Sequence, residues 1–180
     1  MTSFSANNGS FTLFLDEVNK YVEGVHDLNA GTSIENIEAV ERQLNIKLPL
    51  IYKEFLQICN GGELFIPGTV LSQVYEPAKG LVKRGESYLN ESLKPERRWP
   101  KMPKNYLIIA DLNYGDAVCM NLNKCNGNDT EVIQWDHETA SVSRTWNGLV
   151  EWLMSELAEG FELVDYDGED KENVAAYNGV

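Results

Sequence analysis

Residues 48–62 read LPLIYKEFLQICNGG, a proline ahead of apolar residues at helical spacing, closed by an asparagine and two glycines. Pro49 suits a first helical turn, because its missing N–H would have no partner there and its fixed φ already matches the helix. Tyr52, Phe55, Leu56 and Cys59 fall on one face, which predicts a buried helix over 49–60. Asn60, Gly61 and Gly62 are read as its stop, because they enter the left-handed region that closes a helix and glycine bears the least steric cost there. ELFIP follows as a strand.

Upstream, Thr32 and Glu35 have the spacing of a capping box, which starts a helix whose buried stripe is Ile37, Val40 and Leu44. Phe11, Leu15, Val18 and Val22 predict a further helix over 11–24, ahead of a loop at Asp27–Gly31. Downstream, VLSQVY reads as a strand and Lys79–Leu93 as a helix with Leu81, Tyr88 and Leu89 inward. KPERRWPKMPK then sets Lys94, Arg97, Arg98, Lys101 and Lys104 around Trp99 and three prolines. Prolines and acidic surroundings make this a solvated loop that pairs with acidic surface, not a grip for single-stranded nucleic acid.

From Tyr106 the period becomes that of a sheet: NYLIIAD, GDAVCMNL and EVIQWDHE, three consecutive strands of an antiparallel meander. NGND marks the turn between the last two, although Cys125–Thr130 implies more than a two-residue loop. Asn147 is the candidate cap of a final helix, with Trp146, Leu149, Val150, Leu153, Met154 and Leu157 on one stripe. The remaining tail is acidic.

The 180 residues carry 28 acids against 15 Lys and Arg, a net −13. Residues 101–180 hold 15 acids and 5 bases, a net −10, so most of the field lies in the C-terminal part. Phosphate backbones are repelled by such a surface and a basic partner is steered toward it. The three cysteines Cys59, Cys119 and Cys125 have no Cys-x-x-Cys pair, which fits a reduced setting. With no leader-like or membrane-spanning run, a cytoplasmic protein with no membrane association is expected.

Chemistry is sparse. His26 and His137 are the only histidines. Asp136, His137 and Glu138 offer ligand atoms, but adjacent strand residues point to opposite faces and do not converge on one ion. Asp111 and Asp116 bracket LNYG at a spacing that a tight turn also produces. Cys59, on a buried face, reads as a structural thiol. No glycine-rich phosphate cradle, nucleophile elbow or Cys/His grid is present. No catalytic, cofactor or metal site is expected.

The run IENIEAVERQLNIKLPLIYKEFLQICNGG resembles the opening signature of the SUKH superfamily, in the branch of the Smi/Knr cell-wall regulators. Leu48, Pro49, Tyr52, Phe55, Leu56, Asn60, Gly61 and Gly62 occupy matching positions. LIIADLNYGDAVCMNL, with Gly115 and Asp116, resembles the family's strand, Gly-Asp turn and strand. EVIQWDHE, with Trp135, and TWNGLVEWLMSEL resemble its later strand and closing helix. The resemblance implies an α+β domain, a twisted antiparallel sheet packed with helices, over residues 32–158. Residues 1–31 would be a helical extension and 159–180 an acidic tail. This chain departs from the pattern in that extension, in LNYG, and in the basic proline-rich insert.

Members of the superfamily are known mostly as bacterial immunity proteins that neutralise toxins, including nucleases and deaminases; eukaryotic relatives act as regulatory adaptors. The resemblance therefore implies a binding protein, not an enzyme, whose partner is a cognate toxin domain with a basic surface. A regulatory adaptor is the alternative, and a monomer or homodimer fits either. The signature residues read as core and backbone-shape positions. The candidate partner-binding residues are Asp111, Asp116, Asp136 and Glu138, acids bordering a groove or sheet face, where they would pair with the toxin's Arg and Lys residues.

Overall fold

The helix behind Pro49 runs over Leu50–Ile58 (α3) and passes directly into a strand, Cys59–Leu64 (β2). Asn60, Gly61 and Gly62 are thus strand residues and not a helix stop. The left-handed expectation holds for the two glycines, with φ of 73° and 118°. Its purpose is close approach of backbones. A Cβ on Gly62 would lie 2.3 Å from the Asp27 carbonyl oxygen, and one on Gly61 would lie 2.7 Å from that of Leu71.

In this computed structural model, which describes residues 9–76 and 86–171, β2 belongs to a seven-stranded antiparallel sheet. Its other strands are Asp27–Ala30 (β1), Thr69–Leu71 (β3), Tyr106–Asp111 (β4), Ala117–Asn121 (β5), Val132–Asp136 (β6) and Ser141–Trp146 (β7). The strands neighbour one another in chain order, so the expected meander extends to the whole sheet. Beside Gly62 lie Leu28 on one side and Leu71 on the other. The buried Asn60 continues the pattern with its side chain: Oδ1 accepts from the Val74 amide at 2.7 Å and Nδ2 donates to the Val74 carbonyl at 3.1 Å.

Helices Thr12–Val18 (α1), Ile34–Leu44 (α2), α3 and Leu149–Leu163 (α4) supply the core of one sheet face. Leu107 and Ile109, Val118 and Met120, and Val132 turn toward that core. Ile108, Ala117, Cys119, Ile133 and Trp135 alternate onto the other face, where they form a second cluster with Met102. The basic proline-rich insert is exposed along much of its length, as expected of a solvated loop, but it is also anchored to this face. Its Met102 packs in this cluster and its Arg98 donates to the carbonyls of Ser92, Tyr106 and Pro103. Pairing with acid does occur, through Arg97 and Asp111.

The caps differ from their expected places. Ser33 caps α2, its Oγ accepting from the Asn36 amide, while the Thr32 hydroxyl accepts from the Asn36 side chain. Gly148 caps α4; Asn147 donates both its amides to Glu151. The 126–129 loop serves two helices at once. Gly127 and Asn128 carbonyls accept the first amides of α3, and Asp129 Oδ1 accepts the Leu149 amide. Glu41, buried in α2, accepts the Leu48 amide at 2.8 Å and pairs with Lys53, which fixes the chain's entry into α3.

The expected domain limits cross elements. β1, from within 1–31, is part of the sheet; α1 packs on α4; and α4 continues past 158 to Leu163. The expected helix Lys79–Leu93 falls partly on 77–85, outside the described residues. Its remainder is extended, with a Gln73–Tyr88 bridge and a single 3₁₀ turn at Leu89–Glu91.

Gly62→Ala is expected to destabilise the fold by at least about 2 kcal/mol, from left-handed strain plus a backbone clash. Asn60→Ala, which leaves both Val74 backbone groups buried without partners, should cost about 2–4 kcal/mol. Urea unfolding checks both, and wild-type midpoints would refute this role for the two residues.

Candidate functional site

The β4–β5 and β6–β7 turns lie at the same end of the sheet. In the first, Gly115 at φ 101° brings its backbone against the His137 ring, to which a Cβ would come within 3.1 Å. Asp116 follows and is only 7% exposed. Its Oδ2 accepts from Gln134 Nε2 at 2.7 Å, and its Oδ1 meets the His137 amide at 3.1 Å and Nδ1 at 2.7 Å. In the second turn, Asp136 Oδ1 accepts the amides of Glu138 and Thr139 at 2.8 and 2.9 Å. The Thr139 amide first, with other nearby donors, holds the Asp136 carboxyl below its ordinary range.

The four candidate acids are therefore brought together only in part. Glu138 is exposed and Asp136 half-buried at the turn. Asp111 is bound to Arg97 Nη2 at 2.7 Å. Asp116 is an internal tie between turns and not a rim carboxylate. His137 sits over it with Trp99 of the insert 5.1 Å away, ring centre to ring centre. Asp116, Asp136 and His137 do offer three ligand atoms within 4.8 Å of one another. The strand ends at Asp136, so the alternation that would separate 136 from 137 no longer applies. Both oxygens of Asp116, Oδ1 of Asp136 and Nδ1 of His137 are already engaged in the bonds above.

On the helix side of the same end, a cleft of about 280 Å³ opens between α4 and the two strand turns after β2 and β4. Phe65, Tyr114, Trp146 and Trp152 give it aromatic walls, and Arg144, Glu156 and Glu159 its charges. Gln134 Nε2 reaches the Tyr114 hydroxyl at 3.2 Å as well as Asp116, which joins the cleft to the acidic turns. Arg144 stacks on Trp146 at 4.8 Å and holds both oxygens of Glu159. The half-buried Glu156 accepts the Thr69 hydroxyl. Burial pushes its carboxyl above the ordinary range.

Sequence reasoning missed this cleft. One signal was legible: the inward stripe Leu149, Trp152, Leu153, Leu157 and Gly160 carries Glu156 along with it. Gly160 is also an opening, since a Cβ there would lie 2.1 Å from the Phe65 ring. The approach of Phe65 and Arg144 to α4 depends on long-range register and had no local signal.

The sheet with its helix layer, and the Leu-Pro, Asn-Gly-Gly and Gly-Asp elements within it, define a class of small α+β domains. A sequence profile of the SMI1 / KNR4 family (SUKH-1) matches residues 31–155, and the chain belongs to that family. The fold is also that of a protein from Pseudomonas syringae pv. tomato known by its crystal structure, at 19% identity and a TM-score of 0.59. The match covers 81% of this chain and 98% of that one. Among the described residues no helix is long and apolar enough to cross a membrane.

The two histidines respond to pH in opposite directions. The Asp116 carboxylate raises the His137 imidazole above its ordinary value. Its contribution to stability is complete below about pH 6.5 and is lost as pH rises through the folded-state value. Burial pushes His26 down to about 4, while its Nδ1 accepts the Phe65 amide at 3.1 Å, so acid weakens the fold there. Comparison of wild type with His137→Gln removes the His26 effect. The wild-type advantage in Tm should be larger near pH ~5.5 than near pH ~9; a gap independent of pH would refute the His137–Asp116 coupling.

Proposed function

We propose that the protein is an immunity protein that neutralises a toxin domain of the nuclease or deaminase kind by stoichiometric binding. Membership of the SMI1 / KNR4 family supports a binding domain. The observation that carries the choice of partner is charge: a net −13, of which −10 lies in residues 101–180. A toxin that grips nucleic acid needs a surface of Lys and Arg, and that surface is the complement of this one.

The turn end of the sheet is the proposed docking region, with Glu138 and Asp136 as solvent-facing carboxylates. Asp111 and Asp116 support it from within: the first anchors the insert, and the second ties the two turns to the cleft. Neutralisation then needs no bond making or breaking by this chain. It requires only that the bound domain cover the toxin's basic site.

The test is a pull-down from the native organism, followed by co-expression with the toxin domain that is retained. A one-to-one complex, protection of growth and an affinity that falls with salt are expected. Glu138→Lys should slow association by about threefold or more without altering the fold. Complex formation without protection would overturn neutralisation and leave a regulatory adaptor. An affinity indifferent to salt would overturn the electrostatic reading.

A further inference from the structure

The carboxylates of the cleft are not equally satisfied. Arg144 gives Glu159 a bidentate partner and stacks on Trp146. Glu156, deeper and half-buried, receives one hydroxyl from Thr69, itself buried. No Lys or Arg among the described residues lies within ion-pair distance of it, and Arg144, committed to Glu159, acts on it only from farther away. The Trp152 indole N–H, fully buried, makes no hydrogen bond of normal geometry and has the Glu156 carboxylate as its neighbouring acceptor. A carboxylate held in this way is costly unless it takes up a proton or a cation reaches it.

Size and walls narrow the occupant. About 280 Å³ lies at the floor of the roughly 300–1,000 Å³ typical of small-molecule sites, and so suits a side chain better than a cofactor. Aromatic faces beside a carboxylate favour guanidinium, which is planar, weakly hydrated and forked, over the strongly hydrated ammonium of lysine. Arg144 on Trp146 and Glu159 already displays that mode at the rim. Tyr114, 60% exposed, and Leu163, 57% exposed, present apolar surface at the mouth.

We propose that the cleft is a receptor for one arginine side chain of the partner protein, its guanidinium bound by the Glu156 carboxylate and walled by Tyr114 and Trp152. The proposal rests on the reading of a basic protein partner and names where that partner's anchoring residue enters. The guanidinium completes the hydrogen bonding of Glu156 and leaves the Arg144–Glu159 pair intact. Tyr114 then links arginine capture to the acidic turns, through Gln134 and Asp116.

The probes are N-acetyl-arginine methylamide, its lysine counterpart and its neutral citrulline counterpart, each titrated into the full chain and followed by NMR. Saturable shifts of the Trp146 and Trp152 indole signals are expected with arginine below about 50 mM, weaker with lysine and absent with citrulline. Glu156→Gln, which keeps the size and the Thr69 bond, should weaken arginine binding at least about tenfold. Tyr114→Ala, a change at an exposed position, should weaken it about threefold, and Glu138→Gln should leave it unchanged. No saturable shift with arginine, equal binding of citrulline, or unaltered binding by Glu156→Gln in a folded spectrum would overturn the proposal. Toxin neutralisation that survives Glu156→Gln in full would overturn it too, while leaving the immunity reading standing. Arginine capture in a protein that protects against no toxin would do the reverse.

Discussion

The side-chain amide of Asn60 is bonded to both backbone groups of Val74, and the next two residues can only be glycine. This constraint sets the spacing of β1, β2 and β3: Gly61 and Gly62 let the neighbouring backbones come closer than any side chain permits. α3 ends where β2 starts, so the same residues set how the helix layer leaves the sheet. Glu41 performs the complementary task at the other end of α3 by holding the Leu48 amide. Helix layer and meander are thus joined by a few polar contacts in an otherwise apolar interior.

With the helices on one face and the insert on the other, both faces of the central strands are closed among the described residues. The proposed recognition surface is the end of the sheet where β4 meets β5 and β6 meets β7, with the cleft along α4. Charge is concentrated in the same half of the chain. The internal network from Tyr114 through Gln134 and Asp116 to His137 makes this end a stiff surface. Preformed surfaces of that kind lose less conformational entropy on binding.

The parts of the fold carried by local periodicity were legible: α3 with its buried face, the three central strands in meander order, and part of the α4 stripe, from which Trp146 departs into β7 and to which Trp152 is added. Leu-Pro and Asn-Gly-Gly carry the family resemblance in the sequence alone, but φ above zero serves caps and close strand approach alike, so the glycines read locally as a helix stop. The caps at Thr32 and Asn147 each missed by one residue, since Ser33 and Gly148 had equal local claims and tertiary contacts chose between them. Composition marks the insert as solvated, which much of it is, but Met102 and Arg98 also bind it to the sheet over distances that sequence spacing does not encode. Of the four candidate acids, the states were not legible: Asp111 is paired and Asp116 is buried, and only partners far along the chain reveal that.

The central claim is that a basic protein binds at the turn end and the α4 cleft. Hydrogen exchange on the full chain, alone and saturated with the basic partner recovered by pull-down from the native organism, tests it most directly. The account predicts new protection confined to 112–116, 136–140 and the second half of α4, with α2 and the outer edge of β1 unchanged. Protection centred on α2 or β1, with the turns and the cleft exchanging as in the free protein, would contradict it.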